Sequence, residues 1–186
     1  MSKTKAVHLQ NFRKLVMQQA GEQGLTAIAN RLNLQDQALL NQSLLSSQWI
    51  DYGFWWRLLV AADQVLGQGD YQWIRTMGGF DAQENLQGIY RSFLKMMSIK
   101  AVIRSSDLIW RRYYDTGEMR VMRLDSDEAE LHLHNFPELP LHHEAEVVGW
   151  MEGAMRLGKA TLVEVKHDLC LAKGDPYCRF IIHWQE

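Results

Sequence analysis

Cys170 and Cys178 are the only cysteines of the chain, and they stand eight positions apart near its end. The stretch reads His167-Asp168-Leu169-Cys170-Leu171-Ala172-Lys173-Gly174-Asp175-Pro176-Tyr177-Cys178, so a histidine precedes the first thiol by three positions and a Gly-Asp-Pro turn separates the two. Gly and Pro in such a cluster turn the backbone. The flanking residues alternate: Val163, Val165, His167 and Leu169 share one face of a strand, and Cys178, Phe180, Ile182 and Trp184 share one face of the next. The tail is therefore a hairpin with both thiols at its closed end. Zinc takes about four thiolate, imidazole or carboxylate ligands in a tetrahedron. His167, Cys170 and Cys178 offer three, and His143 or Glu144, at the start of the preceding helix, offers a fourth. Two cysteines packed as small buried hydrophobes are the plainer alternative.

Upstream, the apolar spacing is helical. From about Val7 to Asn41 it marks two short helices broken between Gly21 and Gly24, and the many Gln and Asn residues there suggest a peripheral element, or one that packs on a partner. Asp51 is a good N-cap for a helix with Trp55, Leu58, Leu59, Ala62 and Leu66 on one stripe, stopped at Gly67. A short helix around Tyr71–Met77 is expected to end at Gly78-Gly79. Asp81 and Glu84 then open a longer one carrying Leu86, Ile89, Tyr90, Phe93, Met96 and Met97.

After Ser105-Ser106 the period changes. Leu108–Tyr114, Met119–Leu124 and Ala129–Phe136 read as three strands of a meander, joined by turns at Asp115-Thr116-Gly117 and Asp125-Ser126-Asp127. Pro137 and Pro140 lead into a helix over about Leu141–Leu157. On it Gly149 and Gly153 lie one turn apart, which suits close approach to a neighbouring sheet, although each costs about 1 kcal/mol of helix propensity. Glu144 falls on the same face as Val148, Met151 and Met155, where a carboxylate needs a partner. The expected class is α+β: N-terminal helices packed on a five-stranded antiparallel sheet, with a crossing helix before the last hairpin.

Composition narrows the function. A 186-residue chain with 47% apolar and 23% charged residues folds as a globular domain, and a net charge of −2 gives no basic face for nucleic acid. No apolar run reaches the ~18 residues of a membrane span, and the N-terminus has no signal-peptide core, so a cytoplasmic protein with reduced or metal-bound cysteines is expected. There is no Gly-x-Ser-x-Gly elbow, phosphate loop or dinucleotide fingerprint, and no enzyme activity is expected. His132 and His134 beside Glu130 read as a polar strand face, and His142-His143 as surface.

Gly149-x-x-x-Gly153 followed by Cys170-x-Ala172-x-Gly174-Asp175-x-x-Cys178-x-Phe180 resembles the 4-vinyl reductase domain family. That family shares a fold with sensory domains of aromatic-responsive bacterial transcription activators, heme nitric-oxide-binding domains and small subunits of a vesicle-tethering particle. The resemblance covers about Glu144–Trp184. The helices from Trp49 to Met97 suit the layout, and the first 45 residues are not covered. It implies a ligand-binding domain like that of the 4-vinyl reductase family over 46–186, preceded by a helical extension over 1–45.

It also implies a closed structural zinc site. The relatives' cysteine pair corresponds to Cys170 and Cys178, their glutamate to His167 and their upstream cysteine to Glu144, which gives the set Glu144, His167, Cys170 and Cys178. The resemblance further implies an apolar pocket between helices and sheet, with Trp56, Phe93, Met97, Trp110 and Tyr113 as candidate walls. The expected function is a sensory or regulatory domain for an apolar or aromatic small molecule. It would act as a homodimer and pass its signal to a partner protein. A scaffold or adaptor with a filled core is one alternative. Another is a gas sensor with non-covalent heme, which needs only one axial histidine in an apolar pocket. An enzyme acting on a tetrapyrrole ranks last.

Overall fold

The computed structural model describes residues 1–86, 98–158 and 160–185. The fold is α+β, as expected, with helices packed against one antiparallel sheet. The first strand, β1 (Lys3–Lys5), leads into α1 (Val7–Ala29) and α2 (Leu34–Asn41). The second, β2 (Trp49–Asp51), pairs with β1 as a small ribbon and leads into α3 (Tyr52–Leu66) and α4 (Gln72–Asn85). Two short helices follow, α5 (Ile99–Arg104) and α6 (Ser106–Tyr113). The main sheet takes β3 (Glu118–Leu124), β4 (Glu128–His134), β5 (Leu162–Leu169) and β6 (Cys178–Gln185) in the order β3-β4-β6-β5, with α7 (Glu144–Leu157) crossing between the two hairpins. Among the described residues no helix is long and apolar enough to cross a membrane.

Several local signals act as expected. Asp51 caps α3 by accepting from the Phe54 N–H at 2.6 Å, and Gly67 ends it. In α1 the chain kinks at Gly21, whose φ of +59° only glycine adopts readily. The last strand buries Cys178, Phe180, Ile182 and Trp184 on one face. Leu9, Phe12, Val16 and Ile28 of α1 belong to the same buried cluster as Phe54, Leu58 and Ile74, so this Gln- and Asn-rich segment is not peripheral.

Three expectations are corrected. Leu108–Tyr114 is not a strand: α6 covers it, and the sheet has four strands instead of five. Trp110 and Tyr113, three apart, are both buried, while Asp107 and Arg111 pair across one turn at 2.9 Å. Acid in the first turn and base in the last also suit the helix dipole. Gly78-Gly79 does not stop a helix, and Asp81 does not open one. Both lie inside α4, and Asp81 is buried. Ile89, Tyr90, Phe93, Met96 and Met97 lie outside the described residues.

The third correction explains the second. Gly149 and Gly153 meet a helix and not a sheet. A Cβ on Gly149 would land inside the carbonyl oxygen of Arg75, and one on Gly153 would stand 2.7 Å from that of Gly79. From the other side, a Cβ on Gly78 would strike the backbone of Glu146. So α4 and α7 cross backbone against backbone, and the glycines stay in helices because that contact repays their weak propensity.

Candidate ligand chamber and metal-ligating cluster

An apolar chamber of about 80 Å³ lies between the helices and the sheet. Helix α1 brings His8 to it, α5 and α6 bring Ile103, Ser106, Trp110 and Tyr113, and α7 brings Glu146 and Trp150. Met119, Leu131 and Ile182 of the sheet close it. Of the expected wall residues, Trp110 and Tyr113 are present. Trp56 is not on this wall: it is partly buried and stacks on Tyr71 with ring centres 6.5 Å apart. Phe93 and Met97 lie outside the described residues.

The polar groups of the chamber form a buried network. His8 is 1% exposed, and its Nδ1 stands 2.6 Å from Asp81 Oδ2. Asn11 and Asn85 also donate to the Asp81 carboxylate, at 2.7 and 2.8 Å. Burial pulls the His8 pKa down, but the charge and hydrogen bond of Asp81, with the charge of Glu146, outweigh it and leave it raised. Glu146 is 5% exposed, and its Oε1 accepts from Trp55 Nε1 at 2.7 Å and from the Tyr114 hydroxyl at 3.3 Å. Burial pushes its pKa up to about 7 against the pull of His8 and Trp55.

Four atoms are left over. His8 Nε2, Ser106 Oγ, Glu146 Oε2 and Trp150 Nε1 are buried without a hydrogen-bond partner among the described residues, and all four belong to residues of this one chamber. A buried polar atom without a partner costs about 1–3 kcal/mol, so four at one site ask for an occupant. Sequence reasoning missed His8, Ser106, Glu146 and Trp150. The signal for His8 was available: it precedes Phe12 by four and Leu15 by seven, on the stripe that predicts the helix.

The second site is at the closed end of the last hairpin. His143, His167, Cys170 and Cys178 offer ligand atoms that all lie within 4.8 Å of one another. A tetrahedral zinc with bonds of about 2.0–2.3 Å spaces its donors roughly 3.3–3.8 Å apart, so closure takes movements of about 1 Å. His143, fully buried at the start of α7, points Nε2 at Cys178 Sγ, 3.4 Å away. Its Nδ1 donates to the Pro140 carbonyl at 2.9 Å, which leaves the Nε2 lone pair free for a metal. The Leu171 N–H donates to Cys178 Sγ at 3.3 Å, and the Cys170 N–H to Asp175 at 2.7 Å, so the turn is tied to the Cys178 thiol and to the Cys170 backbone. Burial lowers the His143 pKa to about 4 and raises the Cys178 thiol to about 12.

The structure gathers three of the four expected ligands and replaces the fourth. Glu144 is not in the cluster. Its Oε2 is 3.9 Å from His143 Nδ1, the ring nitrogen on the side away from Cys178. One residue is about 100° of helix, which turns Glu144 toward a polar cleft shared with Arg75, His142 and His167. His143 is therefore a core residue, contrary to the surface expectation for His142-His143. His132, expected on a polar strand face, is buried, pairing with Glu130 at 2.7 Å and stacking on Tyr177 with ring centres 3.9 Å apart.

No protein-family model matches the sequence, and no curated protein matches it. Solved structures do. An unliganded Fe(II) H-NOX protein from K. algicida superposes with a TM-score of 0.75 at 13% identity, covering 98% of this chain and 97% of that one. The H-NOX domain from Shewanella oneidensis in its Fe(II)CO state gives 0.74 at 14%, over 98% and 99%. An oxygen-binding H-NOX domain related to soluble guanylate cyclases gives 0.64 at 12%, over 97% and 93%. The chain thus has the H-NOX fold, one of the relatives the sequence resemblance named. The resemblance to the 4-vinyl reductase family itself has no further match.

Two of these structures carry Fe(II) ligation states, so the heme alternative can be set against this chamber. The walls of the chamber test it. His8 Nε2 is a free imidazole nitrogen in an apolar surround, as an axial ligand would be. Against it, about 80 Å³ is less than the ~150 Å³ that holds one benzene, and a heme is several rings across. No Arg or Lys is among the described lining residues to meet two propionates, and Glu146 and Asp81 put acid there instead. The described chamber does not fit a heme.

Proposed function

We propose that the chain is a non-enzymatic sensory domain whose ligand occupies the chamber between helices and sheet, and whose C-terminal hairpin is clasped by zinc. The observation that carries this reading is that four unpartnered buried polar atoms belong to residues lining one otherwise apolar chamber. The H-NOX fold, which holds small ligands in the solved relatives, supports it. The signal would leave through a partner protein or a second copy of the chain.

Zinc would be held by His143, His167, Cys170 and Cys178. With four protein ligands it supplies cross-linking and no open coordination position. Its weight falls on the junction of α7 with the last hairpin, since His143 begins one and the cysteines close the other.

Native mass spectrometry of gently purified protein tests both parts. One zinc per chain and a small bound mass are expected. A fully folded chain that takes up neither would remove the reading. A Soret band after expression with heme supply would replace it with the heme gas sensor.

A further inference from the structure

We infer that the occupant of the chamber is a compact, uncharged molecule bearing a hydroxyl or carbonyl on an apolar body, held by Trp150, Glu146, His8 and Ser106. This rests on the sensory reading above and adds the class of ligand to it. Size sets the first limit. About 80 Å³, against the ~150 Å³ that holds benzene, suits a compact body of roughly half a dozen heavy atoms.

Charge sets the second. The 2.6 Å contact between His8 and Asp81 pairs the nearest cation with an acid, and Glu146 adds negative charge or none. Among the described lining residues a carboxylate or phosphate would therefore meet no spare cation. Burying one unpaired costs far more than the cavity returns.

Hydrogen bonding sets the third. Trp150 Nε1 only donates. His8 Nε2 donates when the ring is protonated, Glu146 Oε2 accepts when ionised and donates when protonated, and Ser106 Oγ does either. A hydroxyl both accepts and donates, so one such group serves the Trp150 donor and the Glu146 acceptor together, and a carbonyl serves the donors. The rest of the wall, Ile103, Trp110, Met119 and Leu131 among it, suits a hydrocarbon body. Water is the competing occupant, since the same polar atoms can bond it; what favours the ligand over water is the hydrocarbon body that the apolar wall covers.

The test titrates the zinc-loaded, ¹⁵N-labelled full chain with cyclopentanol, cyclopentane and butyrate while following the Trp150 indole N–H, assigned by its loss in Trp150→Phe. Cyclopentanol is expected to saturate and to shift that signal, with cyclopentane weaker and butyrate inert. Trp150→Phe is expected to weaken cyclopentanol about fivefold, the worth of one buried hydrogen bond, and to leave cyclopentane unchanged. Should Trp150→Phe not fold, Ser106→Ala gives the same comparison. Cyclopentane binding as tightly as cyclopentanol, or butyrate binding best, overturns the ligand class and leaves the sensory reading standing. No saturable response to any probe overturns both, and a stoichiometric Soret band with added hemin overturns the uncharged compact ligand in favour of heme.

Discussion

Glu146 holds one carboxylate oxygen against Trp55 and Tyr114 and leaves the other without a partner, all in the interior. Burial raises its pKa from 4.5 to about 7, so the folded protein binds this proton more tightly than the unfolded chain. The group's contribution to stability is then whole below pH ~4.5 and is lost as pH rises through about 7, a difference of about 3 kcal/mol. His8 is raised too, so its contribution is present below its unfolded pKa of 6.5 and also falls as pH climbs through the folded value. Glu146→Gln keeps an acceptor for Trp55 and removes the charge. Its denaturant midpoint is expected to exceed that of the native chain at pH 8 and to converge with it at pH 5. At the hairpin, His143→Ala is expected to abolish tight zinc binding, and Glu144→Ala to leave it intact in a competition titration with a chelator. The donors in the hairpin were legible because a turn fixes their neighbourhood. The choice between His143 and Glu144 was not, because adjacent residues at a helix start point about 100° apart and the sequence does not give the phase.

Helices α4 and α7 give a sharper contrast between neighbouring positions. A methyl on Gly149 has nowhere to go, because backbone and not a movable side chain occupies the space. Gly149→Ala is expected to cost at least about 3 kcal/mol in urea unfolding. A Cβ on Gly79, by contrast, would sit at an ordinary 3.5 Å from the Gly149 carbonyl oxygen, so Gly79→Ala should be neutral or gain up to about 1 kcal/mol from helix propensity. The sequence showed glycines at helical spacing on α7 but not their counterparts, since Gly78-Gly79 reads locally as a stop. The same limit explains α6. A short run of three apolar residues with two aromatics fits strand and helix alike, and tertiary burial of Trp110 and Tyr113, three apart, decides.

At the scale of the molecule, the class and the final hairpin follow from periodicity, whereas the place of α1 does not. Its Gln and Asn residues suggested a rim, yet Leu9, Phe12 and Val16 sit in the main core, and Asn11 is engaged with Asp81. Composition averages over all sides of a helix, and one apolar stripe is enough to bury it. The zinc reading also belongs here, since structural zinc contributes directly to folding. Cys178→Ser, or prolonged chelation, is expected to lower the melting temperature by several degrees, and zinc should restore it only in the chelated native chain.

Helix α7 begins at the candidate metal cluster, carries Glu146 and Trp150 past the chamber one turn further on, and lies backbone against backbone on α4 at Gly78, Gly149 and Gly153. Such a joint has no slack for sliding or rolling. A ligand that nudges Trp150 therefore tilts both rods as one beam, and the thiol-bearing loop, fastened to the tip of that beam through His143, travels with it.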